Sequence, residues 1–203
     1  MNSSLSNIVT PLLNWYHRYA RTLPWRQSPS AYHIWVSEIM LQQTRVEAVK
    51  SYYNRFTAEL PTIADLAACQ EEKLLKLWEG LGYYNRVRNM QKAAIQIMAQ
   101  YHGEMPHSYE ELLKLPGIGS YTAGAVASIA YGIPVPAVDG NVLRVITRIT
   151  ANYGDITKQN TKDEITKQLQ TIIPKQHAGD FNQALMELGA TVCIPNGEPQ
   201  CFV

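Results

Sequence analysis

The sequence lacks any run of the roughly twenty apolar residues that span a bilayer, and no basic leader precedes a short apolar stretch at Met1–Leu5. Nothing in it argues for a membrane protein or a secretory signal. Cysteine is scarce, with Cys69, Cys193 and Cys201 the whole complement in 203 residues, which excludes a disulfide scaffold. Cys69, inside Leu66-Ala67-Ala68-Cys69, reads as a small buried apolar residue. The expectation is a soluble, cytoplasmic, monomeric protein. Charge is also sparse: 17% of residues are charged against 46% apolar, the balance of a globular chain with a real core. A net charge of +1 excludes a uniformly basic surface, so a nucleic-acid partner would have to be met by local clusters. Arg86, Arg88 and Lys92 form one such group, and Arg45 with Lys50 another; each reads equally well as an ordinary solvated face.

Strand signals are nearly missing too, and what remains is helical periodicity without internal repeats. Ile8, Leu12, Leu13 and Tyr16 give a first helix one apolar face. Residues Leu23–Pro29 read as a loop, followed by a helix from about Ser30 to Arg45. Thr62 caps a short helix carrying Ile63, Leu66 and Ala67, and the pattern continues through Leu74, Leu75, Leu77 and Trp78 until Gly80 and Gly82 break it. Further helices are predicted near 85–101, just beyond Pro106, and near 139–150, 161–172 and 178–189. The fold class is all-α.

The most informative stretch is Leu115-Pro116-Gly117-Ile118-Gly119-Ser120-Tyr121-Thr122. Pro116 stops a short helix that Ser108 and Glu111 open as a capping box. Gly117 and Gly119 allow a tight turn and close backbone approach, and Ser120 is placed to cap the next helix. A glycine turn ahead of a helix N-terminus is a natural phosphate cradle. The same residues could serve as a plain helix–helix connection.

Two carboxylates stand out. Glu38 is the only formal charge between Arg26 and Arg45, with histidine neutral, and its neighbours are Ile34, Trp35, Val36, Ile39, Met40 and Leu41. Desolvation there should raise its pKa and suit it to general-acid work; pairing with an arginine would make it structural instead. Asp139, in Val138-Asp139-Gly140-Asn141-Val142, opens a helix and reads as an N-cap. A helix N-terminus should keep its pKa low. One protonated and one ionised acid is the pairing that cleaves glycosidic bonds through an oxocarbenium-like state.

Four motifs in order resemble the adenine DNA glycosylases of the MutY type, within the helix-hairpin-helix glycosylase superfamily. They are Ile34-Trp35-Val36-Ser37-Glu38-Ile39-Met40-Leu41-Gln42-Gln43-Thr44, Trp78-Glu79-Gly80-Leu81-Gly82-Tyr83-Tyr84, the hairpin at 115–122, and Val138-Asp139-Gly140-Asn141-Val142-Leu143-Arg144. The resemblance runs from Leu23 to Cys201. It implies two helical lobes with a DNA-binding cleft between them: a six-helix barrel lobe over 25–134, holding the hairpin motif at about 110–131, and a second lobe made of 1–24 and 135–203. It implies double-stranded DNA as partner, carrying adenine opposite 8-oxoguanine or guanine, with the adenine flipped into a pocket. Glu38 would protonate the base and Asp139 would stabilise the sugar cation, with Tyr121 and Asn141 positioning them. Tyrosine at 121, where strand-cutting relatives use lysine, implies base removal without efficient nicking. Trp25, Arg26, Leu41 and Gln183 are the implied adenine pocket. Gln43 and Thr44 would lie near the opposite base, Leu81 and Tyr83 would enter the duplex, and Arg86, Arg88, Gly117, Gly119 and Ser120 would meet the backbone.

The family also implies a 4Fe–4S cluster on four cysteines. Cys193 and Cys201 match the first two, with seven residues between them, one more than the commoner spacing. The chain reaches Val203 before the other two ligands, so the expectation is a truncated chain without the further domain that reads 8-oxoguanine. Two alternatives stay open: a helix-hairpin-helix DNA-binding fragment with impaired catalysis, and a pyrimidine-specific glycosylase with lyase activity, which Tyr121 and Glu38 oppose.

Overall fold

The computed structural model describes residues 5–27 and 29–201. Met1–Ser4, part of the terminus in which no leader was expected, and Ser28 of the expected loop lie outside the described residues. Among the described residues there are twelve α-helices and no strand, and no helix is long and apolar enough to cross a membrane. The chain divides into two compact units, a continuous one over 22–126 and a split one made of 1–21 and 127–203.

The continuous unit begins with α2 (Pro24–Gln27), since α1 (Val9–Tyr19) belongs to the split unit. A loop was expected here, but proline at the first helical position pre-sets the backbone for one helical turn. Helix α3 (Ala31–Leu41) is capped by Ser30, whose Oγ accepts from the His33 amide at 3.1 Å. Eight of its eleven residues are buried, the behaviour of a helix that is apolar on every side. It ends at Leu41 rather than Arg45, because Gln43 takes a left-handed φ of 59° and the chain turns.

Helices α4 (Val46–Glu59), α5 (Ile63–Ala68), α6 (Glu71–Trp78) and α7 (Asn85–Gln100) follow, with Thr62 and Asp65 completing a capping box on α5. Cys69 is half-buried just past α5, less enclosed than expected. Trp35, Phe56, Leu66, Leu74, Trp78, Met90, Ile97 and Leu112 are fully buried in this unit.

The short α8 (Tyr109–Leu112) is capped by Ser108, which accepts from the Glu111 amide at 3.2 Å. The Glu111 carboxylate does not return to the cap. It accepts from the Tyr101 hydroxyl and the Lys114 ammonium, both at 2.5 Å, so half of the expected box is spent on packing α8 to the end of α7. Helix α9 (Ser120–Tyr131) starts at Ser120 itself, and the Gly119 carbonyl accepts the first intrahelical bond at 2.9 Å from Ala123. Ser120 is therefore the first helical residue rather than the cap.

The split unit holds α1 (Val9–Tyr19), α10 (Gly140–Thr150), α11 (Gln159–Ile172) and α12 (Ala178–Thr191). Leu12, Tyr16, Val142, Ile146, Ile165, Leu169, Phe181 and Leu185 form its core. At 1% exposure, Glu187 would be costly unpaired; Arg21 meets it in a bidentate fork, Nε to Oε1 at 2.6 Å and Nη2 to Oε2 at 3.0 Å. This pair ties the segment after α1 to α12.

Candidate active site

Glu38 lies in the middle of α3 and is 6% exposed. Its Oε2 accepts a hydrogen bond from the Tyr121 hydroxyl, contributed by the first turn of α9. The glycine turn that opens α9 thus also delivers a phenol to the buried carboxylate 83 residues away in sequence. Gly117 carries a φ of +77°, and a Cβ there would stand 2.8 Å from the Asn89 Cβ, so the turn needs glycine for backbone shape and for closeness to α7. Gly117, Gly119 and Ser120 are exposed at its tip, as a phosphate contact requires.

Asp139 is the N-cap of α10: Oδ1 accepts from the Val142 amide at 2.8 Å, and Oδ2 from Asn141 Nδ2 at 2.8 Å. Arg144 holds the other end of that amide, donating from Nη2 to Asn141 Oδ1 at 2.8 Å. The same guanidinium donates to the Gly189 carbonyl at 2.7 Å and to the Cys193 carbonyl at 2.9 Å. Asn141 is thereby oriented from both sides, and Arg144 clamps α10 to the end of α12. The expected low pKa of Asp139 is corrected. Burial pushes its carboxyl up, outweighing the Val142 and Asn141 hydrogen bonds and the nearby Arg144, all of which favour the anion.

Sequence reasoning missed Arg144 as an organiser, although it closes the fourth motif. It also missed Gly189, a lone glycine inside a helical pattern, which signals close packing.

The remaining expected residues separate into groups. Trp25 is buried, edge-on to Tyr53 with ring centroids 5.4 Å apart, and shares the short α2 with half-buried Arg26. Leu41, also half-buried, ends α3. Gln183 belongs to the split unit, half-buried on α12. Gln43 is exposed and Thr44 half-buried in the turn after α3.

Tyr83 is 66% exposed with a left-handed φ of 47°, the posture of a projecting ring. Leu81 departs from the expectation: at 6% exposure it packs inward and projects nothing. Arg86 departs as well. Its Nη1 donates to the carbonyls of Ile39 at 2.7 Å and Gln42 at 2.6 Å, and its Nη2 to that of Leu81 at 3.0 Å. Carbonyls can compete with a phosphate here because two chain segments, 39–42 and 81–82, leave several acceptors facing one half-buried guanidinium. Arg88 stays at the surface, its Nε 2.8 Å from Glu71 Oε1.

A 4Fe–4S cluster takes four cysteine ligands. Cys193 is half-buried, with Arg148 Nη1 3.1 Å from its Sγ; Cys201 is exposed; and Cys69 belongs to the other unit. Two thiols supply half of the four ligands such a cluster takes, so the residues present do not fit a complete one.

A model of the HhH-GPD superfamily of base excision DNA repair proteins matches residues 36–175. The adenine DNA glycosylase of Rattus norvegicus is 44% identical over 199 residues, covering 94% of this chain and 38% of the relative. That of Buchnera aphidicola subsp. Baizongia pistaciae is 42% identical over 195 residues, covering 95% of this chain and 54% of the relative. The chain therefore spans little more than a third of the first and about half of the second. Among solved structures, a non-covalent endonuclease III–DNA complex aligns with a TM-score of 0.83 at 27% identity, over 99% of this chain and 91% of that one. With that match over residues 36–175, these relatives, a glycine hairpin ahead of α9, a buried Glu38 and a half-buried Asp139, the chain belongs to the HhH-GPD superfamily of base excision DNA repair proteins.

Proposed function

We propose that this chain carries the catalytic residues of a monofunctional adenine DNA glycosylase, which hydrolyses the N-glycosidic bond of adenine mispaired with 8-oxoguanine or guanine in duplex DNA. Glu38 lends a proton to the departing base. Asp139, oriented through Asn141, offers negative charge to the sugar as it becomes oxocarbenium-like, and water completes the hydrolysis. The exposed hairpin at Gly117–Ser120 meets the phosphate backbone and the projecting Tyr83 wedges into the duplex. Trp25, Arg26, Leu41 and Gln183 are the residues assigned to recognise the extruded adenine.

The observation that carries the reading is the buried Glu38 carboxylate with the Tyr121 phenol donating to it. A general acid needs a dry, fixed carboxyl. A hydroxyl at that place, unlike an amine, cannot form a Schiff base with the opened sugar, which supports base removal without strand cleavage.

A single-turnover incubation with duplex holding adenine opposite 8-oxoguanine, run with and without alkali, tests the proposal. Strand breaks that depend on alkali, and that vanish in Glu38→Gln while DNA binding persists, are the expected result. Breaks without alkali on an oxidised-pyrimidine duplex would replace this reading with the lyase one. Binding without breaks in either condition would reduce the chain to a DNA-binding module.

A further inference from the structure

The exposed ends of α1 and α12 bring together three groups that the proposed chemistry does not use. His17, near the end of α1, has Nε2 3.0 Å from Asp180 Oδ2. His177, at the N-cap of α12, has Nδ1 3.3 Å from the same oxygen. The two rings stand edge to face with centroids 6.1 Å apart, and the three ligand atoms all lie within 4.8 Å of one another. His177 holds a left-handed φ of 66° and makes no side-chain capping bond to α12.

We propose that His17, His177 and Asp180 form a binding site for a divalent transition metal, zinc above all. Two imidazole nitrogens and one carboxylate oxygen are a zinc-type donor set, and two nitrogens weigh against magnesium and calcium, which take oxygen ligands. Zinc–ligand bonds of about 2.0–2.2 Å place ligand atoms a little over 3 Å apart. The three atoms are close to that spacing already, and the exposed side chains need only small rotations to reach it. Both histidines are exposed, so water takes the fourth position.

Asp180 lies 163 residues from His17, so the ion would close a long loop in the unfolded chain and clip α1 onto the start of α12. The site lies wholly within the split unit and is independent of the excision chemistry proposed above.

Cobalt(II) titration of the 203-residue chain, free of any histidine tag, tests the proposal. Tetrahedral cobalt on nitrogen and oxygen gives visible d–d absorption without the thiolate-to-cobalt charge-transfer band that Cys193 or Cys201 would add. The expected result is one equivalent of cobalt with the nitrogen–oxygen spectrum, displaced by zinc but not by magnesium. Affinity should fall more than tenfold in Asp180→Asn and in His17→Gln, a mild change at an exposed position. Zinc should raise the melting temperature of the parent chain and not that of the variants. Affinity unchanged in both variants, a spectrum dominated by the thiolate band, or no binding at millimolar cobalt would each overturn it.

Discussion

Gly189 lies so close to Asn141 that a Cβ on the glycine would stand 2.6 Å from the Asn141 Cβ and 3.1 Å from its Cα. Most of that contact is with backbone, which cannot rotate out of the way. Gly189→Ala gains helix propensity worth up to about 1 kcal/mol, but overpacking against backbone costs about 1–3 kcal/mol, so the clash wins. The variant should be destabilised in urea and should release Asn141 from Asp139, lowering the single-turnover excision rate as well. Gly140→Ala is the control, since a Cβ there meets nothing within 4 Å.

Tyr121 and Glu38 make the second testable contact. Tyr121→Phe keeps the ring and deletes only the hydroxyl that reaches the carboxylate. Hydrogen bonds between neutral groups contribute about 0.5–1.5 kcal/mol. If the bond orients the protonated Glu38 for proton delivery, single-turnover excision should fall by roughly 2- to 12-fold, with duplex affinity little changed. An unaltered rate would make the phenol a packing group.

The helices, the glycine turn, the burial of Glu38 and the capping by Asp139 were legible because each leaves a local mark: apolar periodicity, a Pro-Gly-x-Gly turn, a charge stranded among apolar residues, an aspartate at a helix start. What was not legible depends on distant partners. The protonation preference of Asp139 could not be read from its capping position, because the burial that raises its pKa comes from tertiary packing. Arg86 reads as a surface cation in sequence, since the carbonyls of Ile39 and Gln42 that claim it are more than forty residues away. Leu81 and Tyr83 look like a matched pair of wedges, yet one packs inward and the other projects.

Burial at Asp139 also sets a pH dependence. Its folded pKa is raised above the unfolded value of about 3.9. Between those two values the unfolded chain gives up the proton first, so this group erodes stability as pH rises through that window. The penalty is complete above the folded pKa and absent below the unfolded one. Asn at this position still caps α10, because Asn and Asp cap about equally well, and it does not titrate. Asp139→Asn should therefore melt higher than the parent at pH 7 and show no such gain near pH 3, while excision is lost. Equal melting temperatures at both pH values would mean that desolvation does not govern this carboxyl.

Arg86 separates bracing from DNA contact. Its guanidinium joins the end of α3 to the turn before α7, through the carbonyls of Ile39, Gln42 and Leu81, and it sits 5.4 Å over the Trp78 ring. A lysine keeps the charge but offers no planar fork to reach those segments together. Arg86→Lys should leave buried carbonyls unpaired, at about 1–3 kcal/mol for each orphaned group, and lower the urea midpoint. A residue that holds a phosphate behaves differently: its removal weakens DNA binding across all sequences and reduces the salt slope by about one. Measuring both quantities on Arg86→Ala decides the matter. Bracing predicts a lower urea midpoint with the salt slope retained, because the Nη donors of Arg86 are engaged by the carbonyls of Ile39, Gln42, Leu81 and, at 3.4 Å, Gly82. A shallower slope with parental stability would return Arg86 to the DNA interface and require the loop carbonyls to find other donors.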